Sequence, residues 1–218
     1  MRIDIISDVN CPWCYIGKRR LERALGGLPA GAAAIEWRPF QLNPDMPPEG
    51  MARRDYLRAK FGDERGGRNY DAIAEAGRGE GIGFAFDRIQ RTPSTVNAHR
   101  LVRYAQRENR QDAMVEALFR AYFVDGVDVG AIDALAGIAA GLGLDGAAVR
   151  AFLAGDAERD EIVAEDEMAR RIGVRGVPCF IIDRKFAISG AQELETFRRV
   201  FAEVARQAEP QPSAAPAG

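Results

Sequence analysis

The chain has 218 residues, a length between one minimal domain and two full ones, which favours a single core with a large insertion. Its residues are 47% hydrophobic and 28% charged, a composition typical of a globular protein. The chain contains 30 Lys and Arg residues and 32 Asp and Glu residues, which gives a formal net charge of −2. This balance gives no reason to expect nucleic acid or an anionic membrane surface as a partner. No run reaches the roughly 18 apolar residues that a membrane-spanning helix needs.

The N-terminal segment predicts the compartment. Residues 1–8 have the alternation of a strand and include Asp4 and Asp8, where a secretion signal would need an apolar segment. We therefore expect a cytoplasmic protein. Three cysteines are too few for a secreted disulfide scaffold, and cytoplasmic thiols are normally kept reduced. A C-x-x-C pair in such a chain is more often catalytic or metal-binding than structural.

The first elements form a β-α-β pattern. Alternating β-branched residues predict a strand over Arg2–Ser7. Helical spacing follows from Pro12 and stops at Gly26-Gly27, and strand character returns over Ala33–Phe40.

The middle of the chain is rich in Ala, Arg, Glu and Leu and predicts a helical block. Thr92 has the residue type of an N-cap, with Pro93 at the first helical position. The predicted helices cover residues 51–61, 63–78, 93–109, 111–124, 131–142 and 145–171.

Strand patterning returns after Gly173. Two strands are predicted over Cys179–Asp183 and Phe186–Ser189, with a turn at Asp183-Arg184, and a final helix runs from Leu194 to about Gln207. The Pro- and Ala-rich tail is predicted to be disordered. The order of elements predicts a small α/β sheet domain interrupted by a helical insertion.

The pair in Cys11-Pro12-Trp13-Cys14 carries the predicted chemistry. Disulfide exchange requires a thiolate, and Cys11 is placed as the N-cap of a helix whose free N–H groups and dipole favour negative charge. Pro12 fits the first helical position. Cys14 lies one turn later, where it can resolve a mixed disulfide. We therefore predict Cys11 as the nucleophile and Cys14 as the resolving thiol.

A zinc site is the structural alternative for the same pair. A tetrahedral site needs two more ligands, and His99 and Cys179 are the remaining candidates, without the paired spacing of a zinc ribbon. Strand alternation turns Cys179 away from Pro178 and favours a buried, inert thiol over a third redox thiol. His99, the only histidine, is a candidate general base that could pair with Cys11 at the cleft, although a histidine on a predicted helix is more often a packed residue than a catalyst.

Four segments together resemble the DsbA family of oxidoreductases, in particular its FrnE-like subgroup. The likeness spans nearly the whole chain, although CPWC alone would be a weak signal. The segments are Cys11–Lys18 (CPWCYIGK), Trp37–Pro44 (WRPFQLNP), Arg91–Arg100 (RTPSTVNAHR), and Gly173–Asp183 (GVRGVPCFIID) with Ser189–Gln192 (SGAQ).

The resemblance implies a thioredoxin fold interrupted by a large all-helical insertion domain, with a cis Pro178 beside Cys11. Pro12, Trp13, Val177 and Pro178 would then position the substrate, with the backbone of Val177 pairing with the substrate segment. The expected division is residues 1–45 and 173–208 for the thioredoxin-like domain, 46–172 for the helical insertion and 209–218 for the tail.

The same superfamily includes 2-hydroxychromene-2-carboxylate isomerases and kappa-class glutathione transferases, which typically carry serine where this chain has Cys11. Retention of both cysteines favours a dithiol oxidoreductase acting on protein or small-molecule disulfides and thiols. The alternatives are a glutathione-dependent isomerase or transferase and a zinc-binding module. We expect no cofactor, glutathione as a candidate redox partner, and a monomer or homodimer.

Overall fold

The computed structural model describes residues 1–62 and 67–208. Its main sheet has four strands, with β1 parallel to β2, and β5 antiparallel to both β1 and β6. In order across the sheet, the strands are β2 (Ala34–Pro39), β1 (Arg2–Ser7), β5 (Cys179–Ile182) and β6 (Phe186–Ser189). The two halves of the sheet thus come from opposite ends of the chain, because β1 pairs with β5.

Nine helices lie in the described ranges, and seven of them connect β2 to β5. A two-stranded ribbon, β3 (Met51–Ala52) and β4 (Arg91–Thr92), and a short 3-10 turn at Phe86–Arg88 accompany them. The helices are α1 (Pro12–Leu25), α2 (Arg53–Phe61), α3 (Gly67–Gly79), α4 (Val96–Arg107), α5 (Gln111–Phe123), α6 (Ile132–Gly141), α7 (Gly146–Ala154), α8 (Arg159–Arg171) and α9 (Leu194–Ala208).

Several predicted elements are confirmed, and two fall partly or wholly outside the described residues. The strands, α1 and the final helix match, and the turn at Asp183-Arg184 has positive φ at both residues (50° and 59°), as the two central residues of a type I′ turn require. The start of the predicted helix 63–78 and the tail 209–218 lie outside the described residues. Among the residues described, no helix is long and apolar enough to cross a bilayer.

The predicted start of the helix over 93–109 is wrong. Thr92 belongs to β4 and pairs with Met51, so its backbone is engaged in the ribbon, and α4 begins at Val96. The hydroxyl of Thr92 accepts a hydrogen bond from Arg53 (3.2 Å) and caps no helix. The same ribbon removes Met51 and Ala52 from the predicted helix 51–61.

The single helix predicted over 145–171 is also wrong, because the chain breaks between α7 and α8. Gly155 is extended (φ −90°, ψ −174°) and Glu158 is left-handed (φ 62°). The fully buried guanidinium of Arg100 donates to the carbonyls of Phe152, Leu153 and Gly155, at 2.7–3.0 Å. This contact from another helix satisfies the end of α7 and outweighs the local preference for continued helix.

One hydrophobic core joins the sheet to the helical block. Ile3 and Ile5 of β1, Ile16 of α1 and Phe119 of α5 belong to the same buried cluster. A smaller cluster covers the opposite face of the sheet and contains Ile6, Phe40, Ala169, Val174 and Cys179. The division of the chain into domains at residues 46 and 172 stays a prediction.

Candidate active site

The cysteine turn sits at the N-terminus of α1. Cys11 is the N-cap, with extended backbone (φ −95°, ψ 111°), and Pro12 occupies the first turn. The Cys11 N–H donates to the carbonyl of Asp8 (3.0 Å), and the Cys14 N–H donates to the carbonyl of Cys11 (3.0 Å). No acidic side chain lies in the first turn of α1, so no carboxylate of the helix itself offsets the positive end of the dipole at Cys11.

Both thiols are reduced and largely covered. Cys11 is 4% exposed and Cys14 is 1% exposed, whereas Trp13 between them is 37% exposed. The Cys11 thiol donates a long hydrogen bond to the carbonyl of Val177 (3.6 Å). Cys11 is therefore the thiol that touches the predicted substrate-binding loop.

The environment of Cys14 favours the neutral thiol. Burial, with the neighbouring Cys11 as a second contribution, raises the pKa of Cys14 well above its ordinary value of 9.0. Hydrogen bonds from the Ser7 hydroxyl and the Asp8 backbone offset part of this effect. A thiol that keeps its proton suits a resolving cysteine, which has to act only after Cys11 has reacted.

The loop before β5 completes the site. The Val177–Pro178 peptide bond is cis. Pairing of Ile6 with Cys179 brings this loop beside the end of β1, where the cysteine turn starts. Gly17 of α1 permits the approach, because a Cβ there would lie 2.9 Å from Cγ of Pro178.

Cys179 and His99 lie away from the reactive thiols. Cys179 is 6% exposed in the cluster on the opposite face of the sheet, as strand alternation predicts, and burial raises its pKa. His99 is buried, with Nε2 3.1 Å from the carbonyl oxygen of Phe40 and 3.4 Å from Oδ1 of Asp8. Within the described ranges, no hydrogen bond joins His99 to Cys11 or Cys14.

The ligands of the zinc alternative do not come together. Of the residues that the structure describes, no three His, Cys, Asp or Glu side chains form a group that could hold a metal ion. Cys179 lies on the other face of the sheet from the Cys11–Cys14 turn. The zinc-module hypothesis therefore loses its proposed ligand set.

A buried arginine packed against Tyr56 and Tyr70 was missed by the sequence reasoning. Arg53 is buried and donates to the hydroxyls of Thr92 (3.2 Å) and Tyr70 (2.5 Å), and its guanidinium lies over the rings of Tyr56 and Tyr70. Its Nε atom has no hydrogen-bond partner. Burial raises the pKa of Tyr70, and the nearby Cys11 adds to that shift, which places this cluster within electrostatic reach of the thiol.

The sequence analysis also assigned no role in the site to three further residues. Ser7 and Asp8 contact Cys14, and Gly17 admits the Pro178 loop. Ser7 and Asp8 read as the end of a strand, and Gly17 reads as an ordinary helix position. Their proximity to the thiols in sequence was the only available signal.

The fold and the site together define a thioredoxin-fold protein with a C-x-x-C turn facing a cis-proline loop. The family model described as DSBA-like thioredoxin domain matches residues 2–202. The chain therefore belongs to the DsbA-like thioredoxin family.

Solved structures agree with this assignment. A probable DsbA oxidoreductase from Streptomyces coelicolor is 33% identical, with a TM-score of 0.87 and coverage of 99% of this chain and 94% of that one. Two others share the fold at 17% identity. A 2-hydroxychromene-2-carboxylate isomerase has a TM-score of 0.74, with 95% of this chain and 97% of that one covered. The cytosolic disulfide reductase DsbM from Pseudomonas aeruginosa, solved with GSH, has a TM-score of 0.69, with 94% of this chain and 100% of that one covered.

Proposed function

We propose that this protein is a thiol–disulfide oxidoreductase that works through the Cys11–Cys14 dithiol/disulfide couple. The observation that carries the proposal is the asymmetry of the two thiols. Cys11 lies at a helix N-terminus against the Val177 carbonyl, whereas Cys14 is held neutral one turn deeper. The fold alone does not select this activity, because a 2-hydroxychromene-2-carboxylate isomerase has the same fold.

The proposed reaction is a thiol–disulfide exchange in two steps. The Cys11 thiolate attacks one sulfur of a substrate disulfide, forming the Cys11–substrate bond and releasing the other substrate sulfur as a thiolate. Cys14 then loses its proton and attacks Cys11, which forms the internal disulfide and releases the second substrate thiolate. Two electrons pass from the Cys11–Cys14 pair to the substrate, and the reverse sequence oxidises a dithiol. Val177, Pro178, Pro12 and Trp13 position the substrate sulfur.

We also propose that small carboxylate-bearing thiols such as glutathione, and their disulfides, are substrates. We propose a cytoplasmic location as well. A buried guanidinium with an unpartnered Nε suits a carboxylate. No ion pair to Arg53 occurs in the described part of the chain, although Asp55 and Asp71 line the same cavity. The similar DsbM, a cytosolic disulfide reductase solved with GSH, supports this ligand class and this location.

The test of the function is turnover by the reduced protein of a protein disulfide and of glutathione disulfide. Cys11→Ser should abolish turnover, Cys14→Ser should stop at a mixed disulfide, and Cys179→Ser, the control thiol, should leave the rate within about twofold. Turnover that survives Cys11→Ser would contradict the mechanism. Glutathione-dependent isomerisation that survives Cys14→Ser would favour the isomerase alternative.

Arg53→Gln tests the ligand class separately. Arg53→Gln should raise KM for glutathione disulfide by about tenfold, because one charge-assisted hydrogen bond is lost. It should leave KM for the uncharged bis(hydroxyethyl) disulfide unchanged. Arg78→Gln, at an exposed arginine of α3 outside the lining of that cavity, is the control. Equal effects of Arg53→Gln on both disulfides would show that Arg53 does not bind the carboxylate.

A further inference from the structure

The outer side of helix α8 carries the two most exposed large apolar side chains in the described ranges. Met168 is 51% exposed and Ile172 is 60% exposed. They are four residues apart and therefore lie one above the other on the same side of the helix. The other side of α8 is buried, with Ile162 and Ala169, where the helix packs against α4 and β2. The fold thus leaves an apolar strip on the surface that it does not cover.

Two charged side chains stand at the two ends of this strip. With 3.6 residues per turn, Glu161, Ala164, Met168, Arg171 and Ile172 fall within roughly 100° of the helix circumference. These five residues are called the α8 stripe below. Glu161 and Arg171 are exposed, and within the ranges that the structure describes neither side chain has a hydrogen bond or an ion pair. The stripe therefore has an unpaired acid near one end, an apolar centre and an unpaired base near the other end.

The α8 stripe is complementary to itself. Glu161 and Arg171 each lie five residues from Asp166, about 7.5 Å along the helix axis, on opposite sides of it. Ala164 and Met168 each lie two residues from Asp166, also on opposite sides. Two copies of α8 that pack antiparallel about a two-fold axis at the level of Asp166 therefore place Glu161 of each copy opposite Arg171 of the other. The same arrangement places each Met168 over the small side chain of Ala164, which permits close packing of two helices.

A groove beside the stripe extends the apolar surface. The groove has a volume of about 510 Å³ and lies between α8 and the outer face of the sheet. Met168 and Ile172 line it on the helix side, and Ile6 and Ile181 line it on the sheet side. A second molecule seated on the stripe would cover the mouth of this groove as well. An apolar centre with charged ends is the usual composition of a protein–protein interface.

We propose that the α8 stripe is a homodimer interface, in which α8 of one copy packs antiparallel against α8 of a second copy of this chain. A second copy is the occupant because each half of the stripe carries the charge that the other half requires, and a two-fold axis brings the two halves together. The inference does not depend on the proposed function. Ile172 directly precedes the loop 173–178, so the interface ends where the loop with Val177 and Pro178 begins.

Sedimentation equilibrium of the full chain at micromolar to submillimolar concentrations tests the interface. The mass should rise with concentration from 23.8 kDa towards twice that value. Met168→Asp should raise the dimer Kd by at least about a hundredfold, because it places two unpaired carboxylates in the apolar centre. Val163→Asp is the matched control, since Val163 is an exposed apolar residue of the same helix outside the stripe. It should leave the Kd within about twofold.

Charge reversal tests the antiparallel register. Glu161→Arg and Arg171→Glu should each raise the Kd by at least about tenfold, because each converts two attractive pairs into two repulsive ones. An equimolar mixture of the two variants should restore association, because both contacts of the mixed dimer again join an arginine to a glutamate. Sedimentation of one variant, fluorescently labelled, in the presence of the other measures this mixed dimer.

Three results overturn the inference. The first is a monomeric wild-type protein over the whole concentration range. The second is equal weakening by Met168→Asp and Val163→Asp. The third is failure of the mixed charge variants to associate, which also decides the question if Met168→Asp does not fold. Far-ultraviolet circular dichroism checks the fold of every variant. Absence of disulfide turnover by the wild-type protein would overturn the proposed function and leave the interface standing.

Discussion

The contact between Gly17 and Pro178 leads to a quantitative prediction for Gly17→Ala. The added Cβ would lie 2.9 Å from Cγ of Pro178, 3.1 Å from Cζ of Phe180 and 3.6 Å from Cβ of Ala191. Replacing a helix-interior glycine by alanine gains about 1 kcal/mol of helix propensity, whereas overpacking costs about 1–3 kcal/mol. We therefore expect the free energy of unfolding to change by between about 0 and −2 kcal/mol.

Gly137→Ala is the control that isolates the packing cost. Gly137 lies inside α6, and a Cβ there meets no atom within 4 Å, so this variant should gain about 0.5–1 kcal/mol. Urea unfolding of both variants measures the difference, which we expect to be about 1–3 kcal/mol. Gly17→Ala should also slow the loading of Cys11, because the Pro178 loop must move. Equal stabilisation by both variants, with unchanged loading, would refute the proposed close packing of α1 against this loop.

Two further predictions concern the buried polar groups. Arg100→Lys should lower the free energy of unfolding by about 3 kcal/mol in a urea titration, because lysine cannot replace the five hydrogen bonds that the guanidinium makes. Arg110→Lys, at an exposed position, should change the free energy of unfolding by less than about 0.5 kcal/mol. The raised pKa of Cys14 makes ionisation easier in the unfolded chain, so the reduced protein should lose stability as pH rises above about 9. That loss should be smaller in Cys14→Ser, and an equal pH dependence of the two proteins would contradict the assignment.

Local signals were sufficient for the sheet and the cysteine turn. Alternation predicted β1 and β2, and the Cys11-Pro12 order predicted the start of α1, because strand period and helix capping depend on neighbouring residues. The break between α7 and α8 and the start of α4 could not be predicted in this way. Each depends on a distant partner, Arg100 in the first case and Met51 in the second.

The same limit applies to the polar groups of the site. Cys11 and Cys14 were identifiable from their spacing, but the partner of Asp8 is 91 residues away on α4, and Arg53 is buried by a helix and a strand from other segments. Sequence reasoning gave His99 a possible place beside Cys11. The packing of α4 against the end of β2 directs its ring to Asp8 and Phe40 instead, which is a property of tertiary contacts alone.

The proposed substrate side of the site and the cavity behind Ser7, a polar space of about 260 Å³ between the sheet and α4, α5 and α8, are lined by different residues. In the proposed function, substrate sulfur would reach Cys11 on the side of Val177, where helix α1 supplies its positive end. None of the residues that line the cavity behind Ser7 belongs to the substrate-positioning set of Pro12, Trp13, Val177 and Pro178. A disulfide held by that substrate-positioning set would therefore cover Cys11 and leave the cavity behind Ser7 uncovered.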